Sequence, residues 1–258
     1  MRGSSSHQKC ELLIDIMKSA PKLSKRLATV ASFVRDGIRV ADIGTDHCLL
    51  PIYLIMNNKI SFAIASDINE KPLERASINV KKYNLSDKIS LVCTNGLENI
   101  GNYEPDDILI CGMGGDLIKE ILSNANSCNI KNQNIRLIIQ PMTHLYELRL
   151  YLLKNGFKIV DETTIKDDKF YQIIVAEYSG KSTDLSFGIS ESELLLGKAN
   201  MLNPTPIFIE YINYLYNIWL ARKKGKETAG QNTDYETIML NDFDKLKKGN
   251  YYDSQRII

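Results

Sequence analysis

The turn at residues 42–47 constrains the fold of this chain more than any other segment. The apolar run 38–43 contains Asp42 near its end, Gly44 follows directly, and residues 48–56 are again almost wholly apolar. A strand that turns sharply into a helix at an acid and a glycine is typical of α/β folds that bind an adenosine-containing ligand. About twenty residues further on, a second apolar run ends in the acid Asp67. Together the two turns predict a nucleoside-binding α/β domain.

Short apolar runs alternate with segments of helical periodicity along most of the chain. The predicted strands cover residues 38–43, 62–67, 89–93, 107–111, 135–139, 157–162 and 171–178. The predicted helices cover residues 23–34, 48–56, 69–83, 116–125 and 144–154. Continuously apolar strands suit a parallel sheet buried on both faces, and strand–helix units imply right-handed crossovers. The last two strands are joined by a short polar loop, which predicts an antiparallel hairpin.

A parallel sheet that ends in an antiparallel hairpin differs from the all-parallel dinucleotide fold and is similar to the sheet of S-adenosylmethionine-dependent methyltransferases. After it, two apolar stripes at helical spacing, within residues 208–219 and 235–246, are joined by the polar residues 225–233. Such a pattern predicts two helices packed as a hairpin. We therefore expect an α/β fold, a Rossmann-like class I methyltransferase with a seven-stranded, mostly parallel sheet, plus a C-terminal α-helical hairpin of coiled-coil type.

The expected domain organisation has three parts. Residues 1–21 form an N-terminal extension, which is either a natural disordered start or the remnant of a tag. Residues 22–185 form the S-adenosylmethionine-dependent methyltransferase domain, and residues 186–258 form the helical hairpin.

The composition narrows the class of protein. A formal net charge of +1 gives no global attraction to nucleic acid, so a polyanion site must be a local patch. Five scattered cysteines and three scattered histidines favour a reduced, cytoplasmic protein without a metal site. Because no apolar run is long enough to cross a membrane and charges interrupt the apolar stretch near the N-terminus, we expect neither a membrane span nor a signal peptide. We also expect a monomer.

Ligands of open α/β sheets bind at the carboxyl ends of the strands, so the residues that follow the predicted strands are the candidate site. The candidate cofactor-binding residues are Asp42, Gly44, His47, Asp67, Ile68, Asn69, Asn95, Gly96, Leu97, Gly112, Met113 and Gly114. Gly44 lets the backbone approach a ligand closely, and Asp67 can accept hydrogen bonds from both ribose hydroxyls. We expect Asn95 at the adenine edge and Leu97 on the adenine face, with residues 112–115 against the methionine part.

The sign of the charge at the first turn favours S-adenosylmethionine over NAD. A pyrophosphate binds best to bare glycines at a helix N-terminus, where its negative charge is stabilised. Asp46 lies there instead, so it repels phosphate and suits a ligand with an ammonium and a sulfonium group. The alternative interpretation is that Asp46 only caps the following helix.

Four motifs together resemble the bacterial tRNA adenine-N1-methyltransferase family known as TrmK. They are Leu-Ser-Lys-Arg-Leu at 23–27, Ala-Asp-Ile-Gly-Thr-Asp-His at 41–47 followed by Leu-Pro at 50–51, Gly-Met-Gly-Gly at 112–115 and Gln-Pro at 140–141. The resemblance implies a methyltransferase that uses S-adenosylmethionine to make N1-methyladenosine at adenine 22, in the D-loop region of tRNA. The family pattern has Asn after Gln-Pro, where this chain has Met142.

The chemistry of the acceptor defines the expected catalytic residues. Adenine N1 has an in-plane lone pair and can attack the methyl group directly, so catalysis is mainly positioning, together with stabilisation of the cationic product. We expect Asp46, Gln140 and Gly115 to be catalytic, with the adenine flipped out of the tRNA into a pocket beside Gly115 and Gln140. We expect Lys25 and Arg26 to bind the tRNA.

Three other functions are compatible with the sequence. The chain could be a different S-adenosylmethionine-dependent RNA methyltransferase, an NAD-linked oxidoreductase on a similar fold, or a non-catalytic RNA-binding protein. Asp46 in the cofactor turn and the terminal strand hairpin both disfavour the oxidoreductase.

Overall fold

The computed structural model describes residues 19–125, 128, 130–132, 134–182 and 188–249. Nearly all of the expected N-terminal extension lies outside the described residues, and so does the expected domain boundary at residue 185. Within the described ranges, no helix is long and apolar enough to cross a membrane. The same ranges contain no group of three or more His, Cys, Asp or Glu side chains that could hold a metal ion.

The described chain alternates strands with helices and then continues in helices. The strands are β1 (Ile38–Ile43), β2 (Ile60–Asp67), β3 (Ile89–Cys93), β4 (Asp107–Met113), β5 (Arg136–Pro141), β6 (Phe157–Lys166) and β7 (Phe170–Tyr178). The helices are α1 (Lys25–Phe33), α2 (Leu49–Met56), α3 (Glu70–Lys82), α4 (Gly115–Ser123), α5 (Leu145–Lys154), α6 (Glu191–Leu196), α7 (Lys198–Leu202), α8 (Pro206–Thr228) and α9 (Asp234–Lys247). This confirms the predicted alternation, with bounds that move by a few residues.

One seven-stranded sheet joins the strands in the order β3-β2-β1-β4-β5-β7-β6. Strands β1 to β5 are parallel, and β7 runs antiparallel to both β5 and β6. The predicted Rossmann-like methyltransferase sheet with its terminal hairpin is therefore confirmed. The strand order reverses between β1 and β4, whose carboxyl ends open the crevice in which α/β proteins of this kind bind ligands.

Apolar layers cover both faces of the sheet. In β1, Ala41 and Ile43 belong to one layer and Val40 to the other, because successive side chains of a strand point to opposite faces. Residues 40–43 are all buried. A central strand that is covered on both faces is normally apolar. Asp42 is a buried acid in such a strand, which indicates a functional role.

Strands β4 and β5 extend further than their apolar runs predict. They continue to pair beyond those runs, so that Cys111 lies opposite Gln140 and Met113 opposite Pro141. Strand pairing joins backbone groups, so a polar residue or a glycine such as Gly112 stays in a strand when the neighbouring strand offers partners. Residues expected in loops are thus held rigidly at the edge of the crevice.

The short helices α6 and α7 are absent from the sequence-based prediction. A capping box starts α6: the Ser190 side chain accepts a hydrogen bond from the Glu193 N–H, and the Glu193 carboxylate accepts one from the Ser190 N–H. Helices of this length are unstable alone in water, so tertiary contacts have to hold them.

A buried ion pair supplies those contacts. Arg149 on α5 is 1% exposed, and its Nε donates to the Glu162 carboxylate at 2.6 Å. Its Nη1 donates to the carbonyl oxygens of Leu194 and Leu195 at 3.0 Å each, and its Nη2 donates to Gln172 Oε1 at 2.6 Å. The guanidinium therefore satisfies carbonyl groups at the end of α6 that have no partner within that helix. It fixes the C-terminal helices to strands β6 and β7.

Helices α8 and α9 form the predicted C-terminal hairpin. Their mutual core contains Phe208, Ile212, Met239 and Phe243. Helix α8 continues to Thr228, through residues expected in the loop. Its Arg222 and Lys226 both pair with the Glu236 carboxylate of α9, at 2.9 and 2.8 Å.

We expect Arg149→Met to lower the free energy of unfolding by about 3–5 kcal/mol. The replacement leaves the buried Glu162 carboxylate without its cation and the carbonyl groups of Leu194 and Leu195 without a donor. Urea denaturation followed by circular dichroism measures the loss.

The double variant Arg149→Met/Glu162→Gln is the control for this prediction. It removes the uncompensated charge, so it should recover about half of the lost free energy of unfolding. A single variant as stable as the natural sequence would show that the pair does not hold the helices in place.

Candidate active site

The crevice between β1 and β4 contains a cavity of about 330 Å³. The turn after β1 forms one wall, Cys111 and Gly112 of β4 form a second, and Arg26 and Leu27 of α1 form a third. A larger groove of about 720 Å³ lies beside β6, α6 and α7. Because only the smaller cavity lies at the carboxyl ends of β1 and β4, it is the candidate site.

Gly44 allows the turn after β1 to close. Its φ of 76° lies in the left-handed region that favours glycine. The N–H groups of Gly44 and Thr45 both donate to Ser66 O at 2.8 Å, which ties the turn to the end of β2. A Cβ atom on Gly44 would overlap the terminal methyl group of Met113. The left-handed backbone and the packing of Met113 therefore both require glycine at this position.

Asp42 is a buried acid at the base of this cavity. It is 7% exposed, and burial raises the pKa of its carboxyl group to about 6, while a hydrogen bond with the Thr45 side chain opposes the rise. Desolvation disfavours the ionised form of a carboxyl group. The surroundings of Asp42 therefore disfavour the ionised form of its carboxyl group.

Asp46 and His47 lie exposed at the edge of the cavity. The Asp46 carboxylate is 3.2 Å from Nε2 of His47 and 3.2 Å from Nη1 of Arg75 on α3. Cys48 occupies the N-cap position of α2, with a φ of 56°, and no side chain caps that helix. The alternative interpretation of Asp46 as the cap of α2 is therefore wrong. Its negative charge faces two basic groups instead.

The end of β2 presents the candidate ribose-binding acid. Asp67 is half-buried, and its carboxylate accepts a hydrogen bond from the Asn69 N–H at 2.8 Å. This bond fixes the orientation of the carboxylate beside the crevice. The Ile68 side chain is 61% exposed and available for contact with a ligand.

The residues after β3 lie apart from the cavity beside Asp42. Asn95, Gly96 and Leu97 line a separate small depression with Leu117 and Ile121 of α4. Asn95 is exposed, whereas Leu97 is 2% exposed and packs in the core. The contacts expected between adenine and Asn95 or Leu97 stay predictions.

The segment that follows Cys111 packs against β5. The Gly112 N–H donates to Gln140 Oε1 at 3.2 Å, and Met113 O accepts from the Met142 N–H at 2.8 Å. The backbone donors and acceptors of this segment thus serve the sheet rather than a ligand.

Gly114 and Gly115 are required by close packing at the start of α4. A Cβ atom on Gly115 would lie 2.7 Å from the carbonyl oxygens of Thr143 and His144, and one on Gly114 would lie 3.2 Å from Thr143 Oγ1. His144 itself has a φ of 54°, and its Nδ1 contacts the Asp116 carboxylate. The expected catalytic role of Gly115 stays a prediction, since its own backbone N–H donates to Thr143 O.

Gln140 is fully buried, and both ends of its carboxamide have partners. Its Oε1 accepts from Arg26 Nη1 at 2.5 Å as well as from the Gly112 N–H. Its Nε2 donates to Pro141 O at 2.8 Å and contacts Met142 Sδ at 3.5 Å. Gln140 therefore holds the Arg26 side chain and the Gly112 backbone in place.

Arg26 points into the site, whereas its neighbour Lys25 is exposed to solvent. From the sequence we expect both residues on the tRNA surface, and the structure shows that Arg26 also forms part of the cavity wall. One feature of the sequence indicates it: Arg26 falls on the apolar stripe of α1, between Leu23 and Val30, where a charged side chain needs a buried partner.

We expect Asp42→Asn to stabilise the unliganded protein at pH 8 by about 1–2 kcal/mol, out of a penalty of about 3 kcal/mol that the raised pKa represents. The folded state holds the Asp42 proton more tightly than the unfolded state, so stability falls as pH rises from about 4 through 6. The neutral amide avoids that loss. Urea denaturation at pH 8 and at pH 4 measures the difference, which should vanish at the lower pH.

Asp46→Asn is the control for the Asp42 variant, because it makes the same chemical change at an exposed side chain in the same turn. It should leave the free energy of unfolding within about 0.5 kcal/mol of the natural value. An Asp42→Asn variant that is less stable than the natural protein at pH 8 would contradict the assigned penalty.

The fold and the cavity have counterparts in known proteins. A model of the methyltransferase domain matches residues 23–174. The tRNA (adenine(22)-N(1))-methyltransferase of Bacillus subtilis is 43% identical over 157 residues, which are 60% of this chain and 65% of that protein. This alignment thus spans just under two thirds of the relative.

Two solved structures align over more of the chain. A Streptococcus pneumoniae structure, of a putative tRNA (m1A22) methyltransferase in complex with S-adenosylmethionine, is 30% identical, with a TM-score of 0.75 over 88% of this chain and 100% of that one. The m1A22 tRNA methyltransferase TrmK of B. subtilis is 33% identical, with a TM-score of 0.73 over 89% of this chain and 99% of that one. The resemblance carried by the sequence motifs is confirmed, and this chain belongs to the TrmK family of methyltransferases.

Proposed function

We propose that this protein transfers a methyl group from S-adenosylmethionine to N1 of an adenine in tRNA. The observation that carries the proposal is the cavity at the carboxyl ends of β1 and β4, with its bare turn at Gly44 and its buried acid Asp42, in a chain of the TrmK family. The proposed target is adenine 22, the position in the name of the B. subtilis relative.

The residues at the strand ends fit the cofactor part by part. The turn at Gly44 lines the cavity, so a ligand bound there can lie against its backbone. The oriented carboxylate of Asp67 can accept hydrogen bonds from ribose hydroxyls. A positive charge near Asp42 would favour its ionised form, so a ligand with ammonium and sulfonium groups relieves the penalty of burying that acid. When bound, S-adenosylmethionine supplies the methyl group.

The chain has to position the acceptor more than activate it. Adenine N1 bears no proton, so no base is needed before transfer, and the product ring is a cation. We assign the exposed carboxylate of Asp46 to the electrostatic stabilisation of that charge. Gly115 shapes the acceptor side of the site through close packing, and Gln140 acts through the groups that it holds, because it is fully buried.

The oxidoreductase alternative conflicts with the hydrogen bonds of the first turn. A pyrophosphate would need free N–H donors there, and those of Gly44 and Thr45 both donate to Ser66 O. Asp46 adds a negative charge beside them. These two observations disfavour a pyrophosphate bound against Gly44 and Thr45.

The partner and setting follow from the proposed substrate. We assign Lys25, which is exposed at the start of α1, to contacts with tRNA phosphates. A tRNA substrate assigns the reaction to the cytoplasm. We also propose that the chain acts as a monomer, because α8 and α9 share an apolar core within one chain.

Nucleoside mass spectrometry tests the proposed reaction. Unmodified tRNA incubated with the protein and S-adenosylmethionine should yield N1-methyladenosine, and the same tRNA with guanine at position 22 should yield none. Methylguanosine in place of N1-methyladenosine would contradict the assigned acceptor. Methylation of the position-22 control would contradict the assigned site in the tRNA.

Lys25→Gln tests the tRNA surface. We expect the tRNA dissociation constant to rise about 2- to 5-fold, and the log–log salt dependence of binding to weaken by about one unit, because one phosphate contact is lost. Affinity for S-adenosylmethionine should not change. Filter binding over a series of salt concentrations measures both quantities.

Lys88→Gln is the matched control for Lys25→Gln. Lys88 is also exposed, but it precedes β3 at the amino edge of the sheet, opposite the cavity. Equal effects of the two variants would show that Lys25 contributes only general charge.

A further inference from the structure

Three aromatic rings lie together where α8 packs against the β6–β7 hairpin, and we call Phe170, Tyr211 and Tyr214 the aromatic patch. The centre of the Phe170 ring lies 5.4 Å from that of Tyr211 and 5.5 Å from that of Tyr214. Phe170 and Tyr211 are half-buried, whereas Tyr214 is 52% exposed. Lys166 Nζ lies 5.2 Å from the Phe170 ring centre and pairs with the Glu210 carboxylate of α8 at 2.8 Å. The patch thus presents one supported ring, that of Tyr214, to solvent.

The aromatic patch lies at the same edge of the sheet as the cavity. Strand β7 runs antiparallel to β5, with Ile174 opposite Ile139, so β7 begins at the edge where β5 ends. Residues 167–169 therefore form a turn beyond the carboxyl ends of the parallel strands. The Arg26 N–H donates to Asp167 Oδ2 in this turn at 3.2 Å, and Arg26 also lines the cavity. The turn thus connects the cavity wall with the aromatic patch.

The surface around the turn offers positive charge to a polyanion. Its two acids have donors nearby, since Asp167 accepts from the α1 backbone and Asp168 accepts from the Tyr171 hydroxyl at 2.6 Å. Lys169 is exposed at the turn, and Lys25 is exposed at the start of α1. Exposed lysines of this kind can contact phosphates, which position a nucleic acid without reading its sequence.

The chemistry of the proposed reaction provides a partner for the exposed ring. N1 lies on the Watson–Crick edge of adenine, so an adenine that is methylated there has to be unpaired. Its extrusion into a cavity leaves neighbouring bases without a stacking partner. Unpaired RNA bases stack on aromatic side chains, and a tyrosine loses little conformational freedom when it forms such a contact.

We propose that the aromatic patch stacks an unpaired base of the tRNA through the Tyr214 ring while the target adenine lies in the cavity. The inference rests on the proposed function, since it names a second place at which the same tRNA is held. Phe170 supports the Tyr214 ring from the hairpin, so the contact depends on the packing of α8 against β7. RNA recognition then involves the β6–β7 hairpin and the first half of α8 in addition to α1.

Two replacements of Tyr214 test the proposal. Tyr214→Leu removes the ring and keeps an apolar side chain, whereas Tyr214→Phe keeps the ring and removes only the hydroxyl. Tyr214→Leu should raise the tRNA dissociation constant about 5- to 20-fold, the range of one base–aromatic stack, and Tyr214→Phe should change it by about twofold or less. Affinity for S-adenosylmethionine should not change in either variant. Filter binding and calorimetry measure the two affinities.

A set of tRNAs, each lacking one base among the unpaired positions near adenine 22, identifies the stacked base. One of them should bind the natural protein about 5- to 20-fold more weakly than intact tRNA. Tyr214→Leu should bind that tRNA and intact tRNA equally, because the same contact is already lost. Additive effects of Tyr214→Leu and of every missing base would contradict the proposal.

Tyr83→Leu is the matched control. Tyr83 is a half-buried tyrosine that follows α3, with Lys82 Nζ 5.6 Å from its ring centre. Because α3 starts after the carboxyl end of β2 and ends before β3 begins, Tyr83 lies at the opposite edge of the sheet. Its replacement should leave the tRNA dissociation constant within about twofold of the natural value. Equal effects of Tyr83→Leu and Tyr214→Leu would overturn the proposal.

Other results would also overturn it. A Tyr214→Leu variant with natural affinity for tRNA would do so, and so would a Tyr214→Phe variant as weak as Tyr214→Leu. Loss of S-adenosylmethionine affinity in Tyr214→Leu would mean that the patch supports the cavity. If Tyr214→Leu changed the sedimentation of the protein without RNA, the patch would be a contact between two copies of the chain. If the natural protein makes no N1-methyladenosine in tRNA, the proposed function itself fails, whereas normal product with unchanged binding by Tyr214→Leu refutes only the stacking contact.

Discussion

The packing of the C-terminal helices against the sheet depends on the buried ion pair between Arg149 and Glu162. Its desolvation cost is offset because the guanidinium also reaches Gln172 and the carbonyl groups at the end of α6. The same β6–β7 hairpin that carries Glu162 and Gln172 holds Arg26 through its turn and through Tyr171. One strand pair thus fixes the C-terminal helices and one wall of the cavity.

Residues that line the cavity lower the stability of the fold but favour the binding of a ligand. A central strand covered on both faces would be more stable with an apolar residue in place of Asp42, whose pKa is raised to about 6 by burial. A cationic ligand recovers that cost, since it favours the ionised carboxylate. The turn at Gly44 adds a left-handed backbone conformation, which favours glycine, at the carboxyl end of β1. Local features that are unfavourable for folding therefore mark the site, as is common in proteins.

Much of the fold could be predicted because β1 to β5 are continuous apolar runs and α1 to α5 show helical periodicity. The ends of β4 and β5 could not be predicted. Gly112 and Gln140 stay in the sheet because the two strands supply backbone hydrogen-bond partners to each other. Helices α6 and α7 could not be predicted from the sequence either. They are too short to show periodicity, and their stability comes from Arg149, which lies far away in the sequence.

The sequence by itself determined the strand ends that carry Asp42, Gly44 and Asp67, because backbone conformation and burial leave a local pattern of residue types. It also determined the family, through motifs at those ends. Only the tertiary structure decided which side chains meet: Arg26 and Gln140 are separated by 114 positions and contact each other because α1 packs beside β5. A contact of that kind depends on the order of strands in the sheet, for which neither residue carries a local signature.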